Sequence, residues 1–252
     1  MPTQTDFFVG LVMGIGPALA ILYFSLRRFD KPYTEYALFD DRRVFGTLAV
    51  GLIFGTLASA VENLALAGFS GTVIALAFFF VFEESFKLVY LNRRGYRGRF
   101  DTTFYGVPLG VGAAATSVVW TVVLQSAAVL YTVTGAGLLA LFAVSLCFVN
   151  ADTGVLIGFG AVRGDTWWSY IKALGLRFAH GALLAPFLLA SGGTAGTSDV
   201  LVLVSLVGLA GSLGLGLIVY HYVYTTLFRA TLPEDIRREL RRDRRRMRTA
   251  KE

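Results

Sequence analysis

The segment Phe82-Glu83-Glu84-Ser85-Phe86-Lys87 sets two carboxylates and an amine into an otherwise apolar run. At helical spacing Lys87 is four residues after Glu83 and three after Glu84, close enough for an ion pair with either. Successive helix positions differ by ~100°, so the two carboxylates cannot face the lysine equally. One can be neutralised by Lys87; the other must find a different partner, take a proton or bind a metal. Further polar residues interrupt apolar stretches elsewhere: Glu62, Asn150, Asp152, Arg177 and His180. Asn150 shares a helix face with Gly154 and Gly158, while Asp152 is ~200° away, so at most one of the two looks into a site with the glutamates. Cys147 is the only cysteine, which excludes an intramolecular disulfide and a cysteine-based zinc site. One turn from Asn150, it reads as a small packing residue.

The elements that carry these residues are dictated by composition. Of 252 residues 55% are hydrophobic and 16% charged, against ~25% charged in a soluble domain. Apolar stretches near the ~20 residues that cross a bilayer run from about Phe7 to Leu26, Val44 to Phe69, Gly71 to Leu91 and Thr103 to Gln125. Three more run from about Ala136 to Val162, Ser169 to Ala190 and Val200 to Phe228. The expected fold class is an all-α integral membrane protein, a bundle of about seven transmembrane helices over residues 1–228. Residues 229–252 form an arginine-rich tail. Met1 to Asp6 contain no Lys or Arg, so no cleaved signal peptide is expected.

Orientation follows from basic residues, which collect in cytoplasmic loops. Arg27, Arg28, Lys31, Arg42 and Arg43 lie between spans one and two, Arg93, Arg94, Arg97 and Arg99 between three and four, and Arg163 and Lys172 flank the connection from five to six. The other three loops contain neither Lys nor Arg. The N-terminus is therefore expected outside and the C-terminus inside, in a multi-pass protein of the cell membrane, with Trp167 and Trp168 as interfacial anchors. Glu62 then falls near the outer end of span two, in reach of water. Glu83 and Glu84 lie roughly 10 Å from the cytoplasmic end of span three, and Asn150, Asp152 and His180 ~15 Å deep, so these groups are expected to share one layer. A charge there costs on the order of 2.5 to 3.5 kcal/mol, which makes a pairing or a function the default expectation. The pairs Gly51/Gly55, Gly106/Gly110 and Gly154/Gly158 predict close helix contacts. In the tail, Thr231-Leu232-Pro233-Glu234 predicts a helix start. The helix it opens bears eight arginines from Arg237 to Arg248 and is suited to anionic lipid headgroups. Nothing but charge would support nucleic acid as a partner.

The Glu83-Glu84-x-x-Lys87 segment resembles the Glu-Glu-x-x-Lys motif of PrsW-type intramembrane proteases, distant relatives of the CAAX prenyl proteases. Gly14-Ile15-Gly16-Pro17 resembles that family's opening span. Asp101 with Phe104-Tyr105-Gly106, Gly110 and Gly112 is similar to the segment after its first motif. Gly154 to Phe159 and His180-Gly181 resemble its two later helices. The resemblance implies hydrolysis of membrane-protein peptide bonds in the cytoplasmic half of the bilayer. Glu83 or Glu84 would serve as base and His180 as metal ligand or proton donor, and zinc or another divalent metal would be held among His180, Glu84, Asn150 and Asp152. Three motif positions depart from the family. Ser117 and Val118 stand where it has Glu-Asn, Asn150 where it has His, and Leu184 where an Asp often follows the last His. A catalytic zinc takes about three protein ligands, so the departures open a second expectation: a family member without catalysis that binds or regulates a transmembrane partner. The protease reading predicts Glu83, Glu84 and His180 converging on a water-accessible cavity. The other predicts a site closed by Lys87, Arg177 and apolar side chains. A transporter would need a continuous polar pathway or an internal repeat, and the sequence displays neither.

Overall fold

The computed structural model describes residues 3–30, 34, 38–68, 72–124, 133–191 and 199–238. Seven long helices account for nearly all of them: α1 Gln4–Leu26, α2 Asp41–Gly68, α3 Thr72–Leu91, α4 Thr102–Leu124, α5 Val133–Arg163, α6 Thr166–Ser191 and α7 Asp199–Tyr222. A π turn, Val223–Leu227, and a last helical turn, Phe228–Thr231, prolong α7. There is no strand among the described residues. Most of the arginines expected in the tail helix lie outside them. Residues 234–238 are helical, and the turn is closed by Arg237 N–H donating to the Pro233 carbonyl. Thr231 does not open that helix: its hydroxyl bonds back to the Leu227 carbonyl and across to Thr103, so it ends the preceding one.

Helix starts follow capping chemistry. The Thr3 hydroxyl accepts from Asp6 N–H while the Asp6 carboxylate accepts from Thr3 N–H, a reciprocal cap that satisfies two orphan donors of α1. Around the bundle, α4 is the central element, packed by α1, α2 and α5, while α5, α6 and α7 pack on one another. α3 bridges the two groups, touching α2, α4, α5 and α6. Close approach at the centre rests on glycine. A Cβ on Gly106 would overlap the Gly154 carbonyl, one on Gly110 the Asn150 carbonyl, and one on Gly51 would lie 2.5 Å from the Leu109 carbonyl. The expected glycine faces are thus all helix contacts.

Among the described residues five helical stretches are long and apolar enough to cross a membrane: Gln4–Phe29, Asp41–Glu62, Thr102–Leu124, Gly135–Arg163 and Leu203–Thr231. They differ in position. The most apolar window of α5 is 72% buried within the bundle and that of α7 only 22%, which leaves Leu203, Val207 and Ile218 pointing outward. Apolar outer surface of this kind, continued by Phe7, Phe8 and Val12 of α1 and by Ile53 and Leu57 of α2, is what a lipid solvent permits. α3 and α6, counted as spans from the sequence, fall short of that apolarity. Three charged residues interrupt α3, and Lys172, Arg177 and His180 interrupt α6. Glu83 of α3 and Arg177 of α6 pair across the two helices, as described below.

The connections rich in arginine meet at one end of the bundle. Arg43 Nη1 donates to the Gly95 carbonyl, Gly98 N–H to the Ala161 carbonyl and Leu38 N–H to the Phe29 carbonyl. The guanidinium of Arg93 lies 3.7 Å over the Tyr90 ring and 5.1 Å from that of Tyr96. Buried Tyr105 ties this end to α4, since its hydroxyl accepts from Asp40 N–H and donates to Asp101, both at 3.0 Å. Asp101 in turn takes two hydrogen bonds from Arg99 and holds that guanidinium above its ordinary range. Gly98, at φ +77°, supplies the left-handed turn that lets the α3–α4 connection fold under the bundle.

Candidate functional site

Lys87 sits four residues before the end of α3, yet both it and Glu84 are entirely buried. The Nζ donates to Glu84 Oε1 at 2.7 Å, to Asn150 Oδ1 at 2.8 Å and to Thr153 Oγ1 at 2.8 Å. An ammonium has three N–H donors, and here each has an acceptor. The Asn150 amide is oriented from its other side, because its Nδ2 donates to the Leu146 carbonyl one turn back at 3.0 Å. Thr153 shares its proton between Glu84 Oε1 at 3.1 Å and the Asn150 carbonyl at 3.2 Å. Of the four side chains in this cluster, Glu84 is the one that keeps an oxygen, Oε2, with no hydrogen-bond partner among the described residues.

The second carboxylate finds its cation on another helix. Arg177 of α6 donates to Glu83 Oε2 at 2.5 Å, and its guanidinium lies 4.7 Å from the centre of the Phe80 ring. Both side chains are nearly inaccessible. Glu62 belongs to this group as well: it is half-buried and acts electrostatically on both Glu83 and Arg177. It stands six residues before the end of α2, near the end where it is expected, and is only half-buried there. α3 ends short. Lys87 meets Asn150 and Thr153, which lie 13 and 10 residues before the end of α5, or ~15 to 20 Å at ~1.5 Å per residue. Counting from the end of α3 therefore underestimates how deep the glutamates lie. The result is an ionic layer of alternating sign, Glu62, Arg177 and Glu83, then Glu84 and Lys87, contributed by α2, α3 and α6 and closed by two neutral side chains of α5.

His180, three residues beyond Arg177 and within its electrostatic reach, makes its hydrogen bond elsewhere. It is fully buried, with Nε2 2.9 Å from Ser145 Oγ, and Ser145 is 2.9 Å from Ser212 of α7. Ser212 donates to the Leu209 carbonyl. Ser145 then donates to Ser212 and accepts from His180 Nε2–H, and Nδ1, which has no partner among the described residues, is the unprotonated nitrogen. Along α5, Ser145 is five residues, ~7.5 Å, beyond Asn150. Of the expected site residues, Glu84 and Asn150 come together, Glu83 joins them through its neighbouring position on α3, and His180 and Asp152 do not. Asp152 is entirely buried on the other side of α5 from Asn150, as the ~200° between them requires.

These positions bear on the metal that the resemblance implies. Asn150 Oδ1 is occupied by Lys87, whose ammonium lies against Glu84 where a cation would bind, and Asp152 points elsewhere. Among the described residues no group of three or more His, Cys, Asp or Glu side chains is arranged to hold a metal ion. The donor set does not fit a zinc site. The departures from the family pattern are packing positions: Ser117 accepts from Ser59 of α2 at 3.0 Å, and Val118 and Leu184 are buried among apolar neighbours. Cys147 is fully buried, as a packing residue would be. Sequence reasoning missed Thr153, Ser145 and Ser212. Thr153 carried a usable signal, since it stands three residues from Asn150 on the same stretch of helix. The two serines carried none, because serines in apolar helices commonly bond to their own backbone.

Comparison of the chain with protein-family models, with curated proteins and with solved structures finds no match.

Proposed function

We propose that this chain is a seven-span protein of the cell membrane in which an ionic layer resembling a PrsW-type site has become a closed structural and binding element, so that the protein binds or regulates a transmembrane partner without hydrolysing it. The observation that carries this reading is the complete burial of Glu84 and Lys87 with all three ammonium donors engaged. A general base must reach the water it activates, whereas this carboxylate spends one oxygen on a lysine and a threonine. Glu83 is held by Arg177, and His180 by a serine on a separate tier. The alternative is an active membrane-embedded peptidase. One fact favours it: Glu84 Oε2 and His180 Nδ1 both have lone pairs without partners among the described residues, which an entering substrate helix would have to bring together.

Metal content and cleavage separate the two. Wild type, Glu84→Ala and His180→Ala, purified in detergent, are each expected to contain no stoichiometric zinc and to leave a model membrane peptide intact. Stoichiometric zinc, lost together with cleavage in both variants, would establish the peptidase instead.

Seven spans, with the arginine-rich end in the cytoplasm, fit the distribution of basic residues. Anionic headgroups are the natural contact of the arginine-rich tail. Because Cys147 is buried, single cysteines at the chain surface report orientation cleanly. In a Cys147→Ser background, Thr3→Cys is expected to react with an impermeant maleimide on intact cells, and Arg94→Cys only after permeabilisation. The reverse pattern would invert the orientation.

A further inference from the structure

Asp152 stands apart from the ionic layer. It is entirely buried midway along α5, and neither carboxyl oxygen has a hydrogen-bond partner among the described residues. A carboxylate ion in that position would bear a desolvation cost of several kcal/mol with nothing to offset it, whereas the neutral acid costs far less and needs only an acceptor for its proton.

Tyr220 of α7 is near enough to interact electrostatically with Asp152, and its hydroxyl is 3.0 Å from Ser25 Oγ of α1. Ser25 already donates to the Ile21 carbonyl at 2.6 Å, so Tyr220 donates to Ser25 and keeps its own lone pairs free. Tyr220 is half-buried, and Arg27, at the arginine-rich end of α1, acts on the same hydroxyl. Immediately beyond, α7 leaves regular α pitch for the π turn Val223–Leu227, an irregularity that recurs at functional sites. Among the described residues no other element brings a charge to this side of α5. α4 meets it with the backbone of Gly106, and α6 touches α5 through His180 and Ser145, two turns from Asp152. Lys87 and Glu84 lie on the Asn150 face, with Glu83 and Arg177 beyond them.

We propose that Asp152 is a proton-binding site within the helix bundle, loaded and emptied from the arginine-rich end past Tyr220. The test is infrared spectroscopy of the full chain in detergent across a pH series. Wild type is expected to show the carbonyl stretch of a protonated carboxylic acid, fading reversibly as pH rises. The band should be absent from Asp152→Asn and shifted in frequency in Asp152→Glu, so that one misfolded variant does not decide the matter. Tyr220→Phe should keep the band but slow its isotope shift in D2O at least roughly a hundred-fold, the low end of what a positioned proton-transfer group contributes. A wild-type spectrum with no component that responds to either Asp152 substitution would overturn the proposal. So would a band that never fades or exchanges, the mark of a purely structural acid. Loss of the band on adding sodium at constant pH would make Asp152 a cation site and overturn it equally.

Discussion

Lys87→Met is expected to destabilise the bundle by about 3–5 kcal/mol, the scale of removing one partner from a buried ion pair. The methionine fills the volume but leaves Glu84 charged with no cation beside it, and removes the donor from Asn150 Oδ1 and Thr153 Oγ1. Thermal unfolding in detergent, followed by intrinsic fluorescence, reads the loss. The informative comparison is the double variant Glu84→Gln/Lys87→Met. Replacing both members of a buried pair with neutral groups is often neutral or stabilising, so the double variant should recover most of the stability lost by the single one. A single variant that unfolds at the wild-type temperature would mean that Lys87 is not the sole cation of Glu84. A double variant as unstable as the single would mean that Lys87 contributes through packing and not through its charge. If the recovered double variant also loses the partner-dependent role proposed above, the pair is retained for function; if it keeps that role, the pair serves the fold alone.

The sequence made the elements of this layer legible but not the pairings. Apolar run lengths located the seven long helices of the described residues, and the three-residue spacing of Glu84 and Lys87 anticipated an ion pair within α3. Which glutamate would take the lysine was undecidable, because both lie within reach on one helix, and the choice is made by Asn150 and Thr153 arriving from α5. Arg177 was visible as a charge in an apolar span, yet nothing local to α6 says that Glu83, 94 residues earlier, is its partner. Depth was the least legible quantity. Counting residues from helix ends assumes that all helices end on one plane, and α3 does not. That offset sets the glutamates at the level of Asn150 and Thr153, deeper than the count from the end of α3. The divergence of Asn150 and Asp152 was legible because it depends only on helical pitch.

Gly110→Ala is expected to cost at least about 1–3 kcal/mol, the range for overpacking a well-filled interior, and to do so at a distance from any charge. The added Cβ would overlap the carbonyl of Asn150, a backbone group in the middle of α5 with no freedom to rotate aside. The only relief is separation of α4 from α5. Because α4 is the element on which α1, α2 and α5 all pack, the displacement reaches Asn150 itself and loosens its contact with Lys87. Gly46→Ala, on the same detergent melt, is the matched control. Gly46 lies inside α2 with open space around its Cβ position, and there the change should stabilise by roughly 0.5–1 kcal/mol through helix propensity alone. Opposite signs at two helical glycines would tie the α4–α5 seam to backbone contact. If both variants gained stability, the seam would have to be looser than the Gly106–Gly154 and Gly110–Asn150 contacts imply, and the ionic layer would then rest on α3 and α6 more than on α5. Loss of the Lys87 contact with Asn150 can be read in the same variant: with one of its three acceptors withdrawn, Lys87→Met should cost less in a Gly110→Ala background than in wild type, a coupling that independent sites would not show.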